Sequence, residues 1–147
     1  MHVANIMTKK VHTVAPEDCL STLNDIFLNV AYRHLLVEEN GRLVGVISDR
    51  DALKHLSPFI GQQLERKEDR DQLNLKVSDI MSTQLITVDP ETLIDSASIL
   101  LLENNISCLP VIKGDMKIDG ILSWKDILQY HVYGEDKLQA LSSGANY

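Results

Sequence analysis

The stretch IMTKKVHTVAPE at residues 6–17 returns as IMSTQLITVDPE at residues 80–91, a shift of 74 positions. The same shift carries LLV at residues 35–37 onto LPV at residues 109–111. After one inserted residue, GVISDRD at residues 45–51 falls on GILSWKD at residues 120–126. Because self-similarity of this kind reflects repeated structural units, we predict two copies of one unit, packed about a pseudo-twofold axis.

The predicted elements follow the same order in each copy. Residues 11–14 are β-prone and stop at a proline, and apolar residues then recur at helical spacing from Leu20 onward. Two further β-prone runs flank Asn40-Gly41, which is a strong hairpin signal. Helices are predicted to begin at Ser48 and Ser123. The predicted fold class is therefore α+β, with strand, helix, strand, strand and helix in each repeat.

These elements predict four regions along the chain. Repeat 1 covers residues 1–57, a charged linker residues 58–76, repeat 2 residues 77–133 and a C-terminal tail residues 134–147. Within the linker, QQLERKEDRD alternates charge sign in residues that favour helices. We interpret it as a solvated helix, and a partner-binding element is the alternative.

Composition disfavours several classes of protein. A net charge of -7 and a pI near 5.1 argue against a nucleic-acid binder, since such proteins neutralise phosphates with clustered Lys and Arg. The longest apolar run, residues 99–102, is far short of the roughly 20 residues that cross a bilayer. The N-terminus lacks the pattern of an export signal, so we expect a cytoplasmic protein that does not enter the membrane.

The sequence contains no recognisable catalytic or metal motif. We find no G-x-S-x-G elbow, P-loop or paired-histidine motif, and the two cysteines lack the spacing of a metal or redox site. The cysteines are interpreted as buried free thiols. We expect no enzyme activity, no catalytic residue, no metal and no required cofactor.

Short motifs in both copies resemble the tandem CBS-domain family, whose paired repeats form a Bateman module. RHLLV at residues 33–37 and CLPV at residues 108–111 are similar to the family's RHLPV stretch, and the two segments ending in S-x-x-D resemble its GxhS/TxxD element. The resemblance covers roughly residues 3–131. It is strongest to the CBS pair of AcuB-type acetoin-utilisation proteins, whose extra C-terminal domain we expect this chain to lack.

The resemblance implies a regulatory module that senses an adenosine nucleotide (AMP, ADP, ATP or S-adenosylmethionine) in the cleft between the repeats. Ser48 and Ser123 stand where a strand enters a helix, and the free N–H groups of a helix start favour phosphate. By the resemblance, Asp51 and Asp126 accept hydrogen bonds from a ribose diol. From the residues alone, S-x-x-D is also an ordinary helix-capping arrangement, and this alternative stays open.

The remaining candidate ligand-binding residues lie near the first strand of each repeat and the entrance of each hairpin. They are Val11, Thr13, Leu85, Thr87 and Pro110, with Tyr32 and Ile106 as lids. Ordinary core packing is the alternative for the apolar ones.

Arg33 and His34 are predicted to contact a phosphate, whereas the second repeat has Ser107-Cys108 at the corresponding place. A histidine without a ligand role is the alternative for His34. The difference predicts two pockets of unequal affinity, or one empty pocket, and the pocket lined by Arg33 and His34 is the better candidate for binding.

Two hypotheses about function and partners follow from this interpretation. The leading hypothesis is a nucleotide sensor whose state is read by an effector protein. The alternative is a ligand-free module for homodimerisation or protein interaction. The resemblance implies that CBS pairs associate through their helices, so we expect a homodimer.

Overall fold

The computed structural model describes residues 1–29, 33–56 and 58–142, with side chains described up to residue 134. The chain forms two compact units. The central unit is His12–Leu85, and the terminal unit combines Met1–Val11 with Ile86–Tyr147. Each unit therefore contains most of one sequence repeat together with the opening residues of the other.

The central unit contains a parallel pair of strands, a hairpin and several helices. Its elements are β1 (Thr13–Val14), α1 (Leu20–Asn29), β2 (His34–Glu39), β3 (Arg42–Ser48), α2 (Asp49–His55), α3 (Lys67–Asp71), a 3-10 turn (Gln72–Asn74) and α4 (Val77–Ile80). Strand β1 pairs in parallel with β2, and β2 pairs antiparallel with β3.

The hairpin between β2 and β3 turns at Asn40 and Gly41, whose φ angles are 54° and 78°. Positive φ at both central residues is the requirement of a type I′ turn, which matches the right-handed twist of the strands. The hairpin predicted from the sequence is confirmed. Of the segment predicted to be helical, residues 62–71, only α3 adopts helical structure, and a 3-10 turn follows it.

Apolar side chains from the helices and the hairpin form the core of the central unit. On β3, burial alternates along the strand, with Leu43, Gly45 and Ile47 facing inward, as expected for a strand with one covered face. The core is completed by Val14, Leu20, Leu23, Leu35, Val37, Ala52 and Val77.

The terminal unit repeats this plan with different segments. Its elements are a 3-10 turn (Val3–Asn5), α5 (Ile94–Asn104), β4 (Cys108–Lys113), β5 (Lys117–Ser123) and α6 (Trp124–Ser142). Strands β4 and β5 are antiparallel, and α6 is interrupted at Gly134, where φ is 74°. The core contains Val3, Val88, Ile94, Ala97, Leu101, Leu109, Val111, Leu122 and Ile127.

The predicted first strand of the second repeat is reduced to one parallel bridge between Val88 and Val111. In the first repeat, Thr13 pairs with Leu36 and extends the ladder. The corresponding partner of Thr87 is Pro110, which has no backbone N–H to donate. The α+β class is confirmed, and the second repeat departs from the predicted order at this position for that reason.

Gly45 and Gly120 allow the opening segment of each repeat to lie against a hairpin strand. Val46 and Ser82 exchange two backbone hydrogen bonds of 3.0 and 2.9 Å, and Ile121 and Thr8 exchange two of 2.9 Å. A Cβ on Gly120 would stand 2.8 Å from the Thr8 carbonyl oxygen. Such a contact is too short, so the backbone approach requires glycine there.

We expect Gly120→Ala to lower the free energy of unfolding by about 1–3 kcal/mol, because the added methyl group forces the backbone of the opening segment to shift. Gly45→Ala is the matched control. Its methyl group would meet mainly the flexible end of Met81, which can move, and the Ser82 carbonyl oxygen at 3.2 Å. Urea denaturation measures both variants, and an equal or larger loss for Gly45→Ala would contradict this explanation.

Candidate functional site

In the central unit, Ser48 caps α2 and is bound to Asp51 in both directions. The Asp51 N–H donates to Ser48 Oγ at 3.1 Å, and the Ser48 N–H donates to Asp51 Oδ2 at 3.0 Å. The capping arrangement that the sequence left as an alternative is therefore formed. The second carboxylate oxygen, Oδ1, accepts no hydrogen bond from any part of the chain that the structure describes.

Arg33 and His34 lie beside this cap. His34 is opposite Ser48 in the pairing of β2 with β3, and the Arg33 carbonyl oxygen accepts a 2.8 Å hydrogen bond from the Asp49 N–H. The Arg33 side chain is exposed, whereas His34 is half-buried. The structure thus brings together four of the predicted ligand residues, namely Arg33, His34, Ser48 and Asp51.

Burial lowers the pKa of His34 below its usual 6.5. The negative charges of Asp49 and Asp51 oppose this shift, and the positive charge of Arg33 adds to it. The neutral imidazole is therefore favoured in the fold at neutral pH. An anion close to His34 would favour the protonated form instead.

In the terminal unit, Ser123 and Asp126 form a similar cap with one additional hydrogen bond. The Ser123 N–H and Oγ–H both donate to Asp126 Oδ2, at 2.9 and 3.1 Å, and the Asp126 N–H donates to Ser123 Oγ at 3.3 Å. Burial raises the pKa of Asp126, while the hydrogen bonds from Ser123 and Thr8 and the charge of Lys125 lower it.

Thr8 joins this group although the sequence analysis did not select it. Its Oγ1 hydroxyl donates to Asp126 Oδ1 at 3.5 Å, although the two residues are 118 positions apart in the sequence. The repeated Ile-Met-Thr/Ser motif was the available signal, since Thr8 and Ser82 occupy the same place in the two copies. The motif gave no indication of which hairpin each copy contacts.

The second repeat has no charged side chain where the first has Arg33 and His34. Cys108 is opposite Ser123 in the pairing of β4 with β5, and the Trp124 N–H donates to the Ser107 carbonyl oxygen at 3.1 Å. Burial raises the pKa of the Cys108 thiol to about 12, so it stays protonated at neutral pH. The two sites therefore share their backbone geometry and differ in charge.

The other predicted ligand residues are distributed over both units. Thr13 and Leu85 belong to the central unit, and Val11, Thr87, Ile106 and Pro110 belong to the terminal unit. Pro110 is buried in β4, and the other five are half-buried. Tyr32 lies outside the described residues.

Three other features bear on the nature of the site. A surface groove of about 550 Å³ is lined by Pro58, Phe59, Gln62, Gln63 and Leu64, none of which was predicted to bind ligand. Within residues 1–29, 33–56 and 58–142, no group of three or more His, Cys, Asp or Glu side chains is arranged to hold a metal ion. No helix in the same ranges has the length and apolar character needed to cross a membrane.

Comparison with known proteins matches the CBS domain model to residues 3–58 and again to residues 77–133. Protein MJ1225 of Methanocaldococcus jannaschii is 27% identical over 129 residues, or 87% of this chain, and its crystal structure superposes with a TM-score of 0.78. The chain spans 46% of the length of MJ1225, so the activity of that whole protein does not transfer to it.

This chain aligns with nearly the full length of two other solved structures. CBSX2 in complex with AMP is 28% identical, with 89% of this chain and 96% of CBSX2 covered at a TM-score of 0.74. A Vibrio cholerae protein described as the acetoin utilization protein AcuB is 20% identical, with 100% of this chain and 98% of that chain covered at a TM-score of 0.74. At that identity, the AcuB comparison establishes a shared fold.

We expect His34 to titrate below pH 6.5 in an NMR experiment, because burial disfavours the imidazolium. A histidine with a depressed pKa stabilises the fold above its unfolded pKa, and this contribution is lost as the pH falls through the folded pKa. Asp51→Asn removes a negative charge that raises the His34 pKa, so the midpoint should fall further in that variant. A midpoint that stays fixed or rises in Asp51→Asn would contradict the proposed proximity of the two side chains.

Proposed function

Because the chain belongs to the CBS domain family, we propose that it is a non-catalytic regulatory module that binds an adenosine nucleotide. The observation that carries this proposal is its relation to CBSX2, whose structure contains AMP. AMP is accordingly the first candidate ligand. ADP, ATP and S-adenosylmethionine share the adenosine part and are the next candidates.

The side chains at the end of β3 in the central unit support this proposal by their chemistry. A nucleotide presents a ribose diol and an anionic phosphate. Asp51 keeps a carboxylate oxygen that is not engaged in the helix cap, and this oxygen is a suitable acceptor for a ribose hydroxyl. Arg33 carries a permanent positive charge on an exposed side chain, and guanidinium groups pair well with phosphate.

The site in the terminal unit is proposed to bind the same class of ligand more weakly. Ser107 and Cys108 stand where the central unit has Arg33 and His34, and the Asp126 carboxylate is already bound by Ser123 and Thr8. Both differences reduce what the site offers to an anionic ligand. This reasoning agrees with the unequal affinities predicted from the sequence.

A regulatory role requires more than binding. A ligand shifts a conformational equilibrium only by its difference in affinity for the two states. We propose that an effector protein reads that shift. Comparing hydrogen exchange with and without saturating AMP would locate the segments that respond.

We expect Asp51→Asn to weaken AMP binding about 10-fold or more, since hydrogen bonds to a charged group contribute about 1.5–3 kcal/mol. Asparagine retains an oxygen that can accept the Ser48 N–H, so the helix cap is preserved. Asp126→Asn is the matched control and should change the affinity of the tighter site by no more than about threefold. Isothermal titration calorimetry measures both. If the wild-type protein binds none of the four nucleotides, the proposed function is wrong.

A homodimerisation module is the second candidate, and a repeated surface feature favours it. Leu28 and Leu102 occupy equivalent positions in the two repeats and are 75% and 81% exposed. Leu53 and Leu128 are also equivalent and are 65% and 51% exposed. Leucine at the same exposed helical positions in both copies is typical of a surface that another molecule covers, and a second copy would cover it symmetrically.

The double variant L102K/L128K tests this alternative. If α5 and α6 contribute to a dimer, two lysines buried against apolar side chains should dissociate it, because burying an unpaired charge is costly. Glu103→Lys, at an exposed position on α5, controls for the change in net charge. Sedimentation velocity distinguishes monomer from dimer. A monomeric wild type, or a variant that remains dimeric, would argue against the interface.

A further inference from the structure

The two aspartates of the candidate sites differ in how many acceptor positions remain open. An ionised carboxylate has about four lone-pair positions, two on each oxygen. At Asp126, Oδ2 accepts both hydrogen bonds from Ser123, and Oδ1 accepts the Thr8 hydroxyl. Among the described residues these are its side-chain partners, so about one acceptor position stays open on Asp126.

Asp51 is less occupied. Its Oδ2 accepts the Ser48 N–H, and its Oδ1 accepts nothing from the described residues. Ser82, the counterpart of Thr8, pairs with Val46 through its backbone as Thr8 pairs with Ile121, but its hydroxyl makes no hydrogen bond to Asp51 in the described structure. About three acceptor positions therefore remain open on Asp51.

This difference matters because the two hydroxyls of a ribose diol need two acceptor positions. Asp51 can accept both hydroxyls without rearrangement of its own hydrogen bonds. With these hydrogen bonds in place, Asp126 can accept one ribose hydroxyl. It can accept both only after the hydroxyl of Thr8 or of Ser123 leaves the carboxylate, and the Thr8 hydroxyl makes the longer of these two bonds. We propose that Thr8 determines the sugar selectivity of the terminal-unit site, which accepts 2′-deoxyadenosine nucleotides about as well as their ribose forms, whereas the central-unit site selects ribose. This inference rests on the proposed nucleotide binding.

The Thr8 side chain can be changed without disturbing its surroundings. It is exposed, and its 3.5 Å bond to Asp126 is longer than the usual 2.7–2.8 Å between hydroxyl and oxygen. The two backbone hydrogen bonds with Ile121 hold the segment in place whatever the side chain is. Thr8→Val keeps the shape and removes the hydroxyl, and Thr8→Ser keeps the hydroxyl.

The experiment compares AMP with 2′-deoxy-AMP in variants that each weaken one site, and calorimetry fits the affinity of the unchanged site separately. In Asp126→Asn, which leaves the central-unit site, AMP should bind about 10-fold more tightly than 2′-deoxy-AMP, the effect of one hydrogen bond to a charged acceptor. In Asp51→Asn, which leaves the terminal-unit site, the ratio should be close to one. Adding Thr8→Val to Asp51→Asn should raise the ratio toward 10-fold, and adding Thr8→Ser should leave it near one.

A ligand-free measurement separates this role from a structural one. The Thr8 hydrogen bond lowers the pKa of Asp126, so Thr8→Val should raise that pKa in an NMR titration and Thr8→Ser should not. Thr8→Ala serves as a second variant without the hydroxyl.

The outcomes are distinguishable. If AMP binds to neither the wild type nor the single-site variants, the proposed function fails and this inference fails with it. If AMP binds and the two sites show the same sugar ratio, or Thr8→Val and Thr8→Ser behave alike, the inference alone is overturned. If Asp51→Asn binds neither nucleotide, the double variant Asp51→Asn with Thr8→Val should bind AMP. A double variant that still binds no AMP would also overturn the inference.

Discussion

The exchange of backbone hydrogen bonds between an opening segment and a hairpin strand is the constraint on which both units depend. Thr8 pairs with Ile121 and Ser82 pairs with Val46, so that each hairpin is bordered by residues from the start of a different repeat. Backbone groups that leave water must find partners, and here the opening segments supply them. The close approach at Ile121 requires the adjacent Gly120 to lack a side chain.

This pairing also determines what surrounds each Ser-x-x-Asp cap. The caps form because a serine oxygen accepts an N–H group that the first helical turn leaves free, and the aspartate accepts the N–H group of the serine in return. A functional role for the same aspartates depends on the acceptor positions that the cap leaves open. The cap at Asp51 leaves Oδ1 open, whereas the hydroxyls of Ser123 and Thr8 occupy further acceptor positions at Asp126.

The two repeats have kept their common architecture and diverged in the side chains around the caps. Arg33 and His34 are replaced by Ser107 and Cys108, and the thiol is held neutral by burial. Leucines at equivalent exposed positions are retained in both copies. Charge therefore differs between the candidate sites, whereas exposed leucines recur at equivalent positions in each unit.

The sequence by itself determined the features that depend on neighbours along the chain. The repeat, the Asn40-Gly41 turn and the caps at Ser48 and Ser123 follow from period, positive φ and local hydrogen bonding. The sequence also indicated that Arg33 and His34 accompany Ser48 and Asp51, since hairpin pairing is a nearly local property.

Only the tertiary structure decided which opening segment contacts which hairpin, because pairing between segments far apart in the chain leaves no local pattern. Thr8 was therefore missed as a partner of Asp126. The shortened pairing at Val88 was missed because the lack of a donor at Pro110 matters only once the alignment of Thr87 with Pro110 is known. The open acceptor positions of the two aspartates are likewise a property of the fold, because one long-range contact, from Thr8, and the orientation of the Ser123 hydroxyl occupy positions on Asp126 that stay open on Asp51.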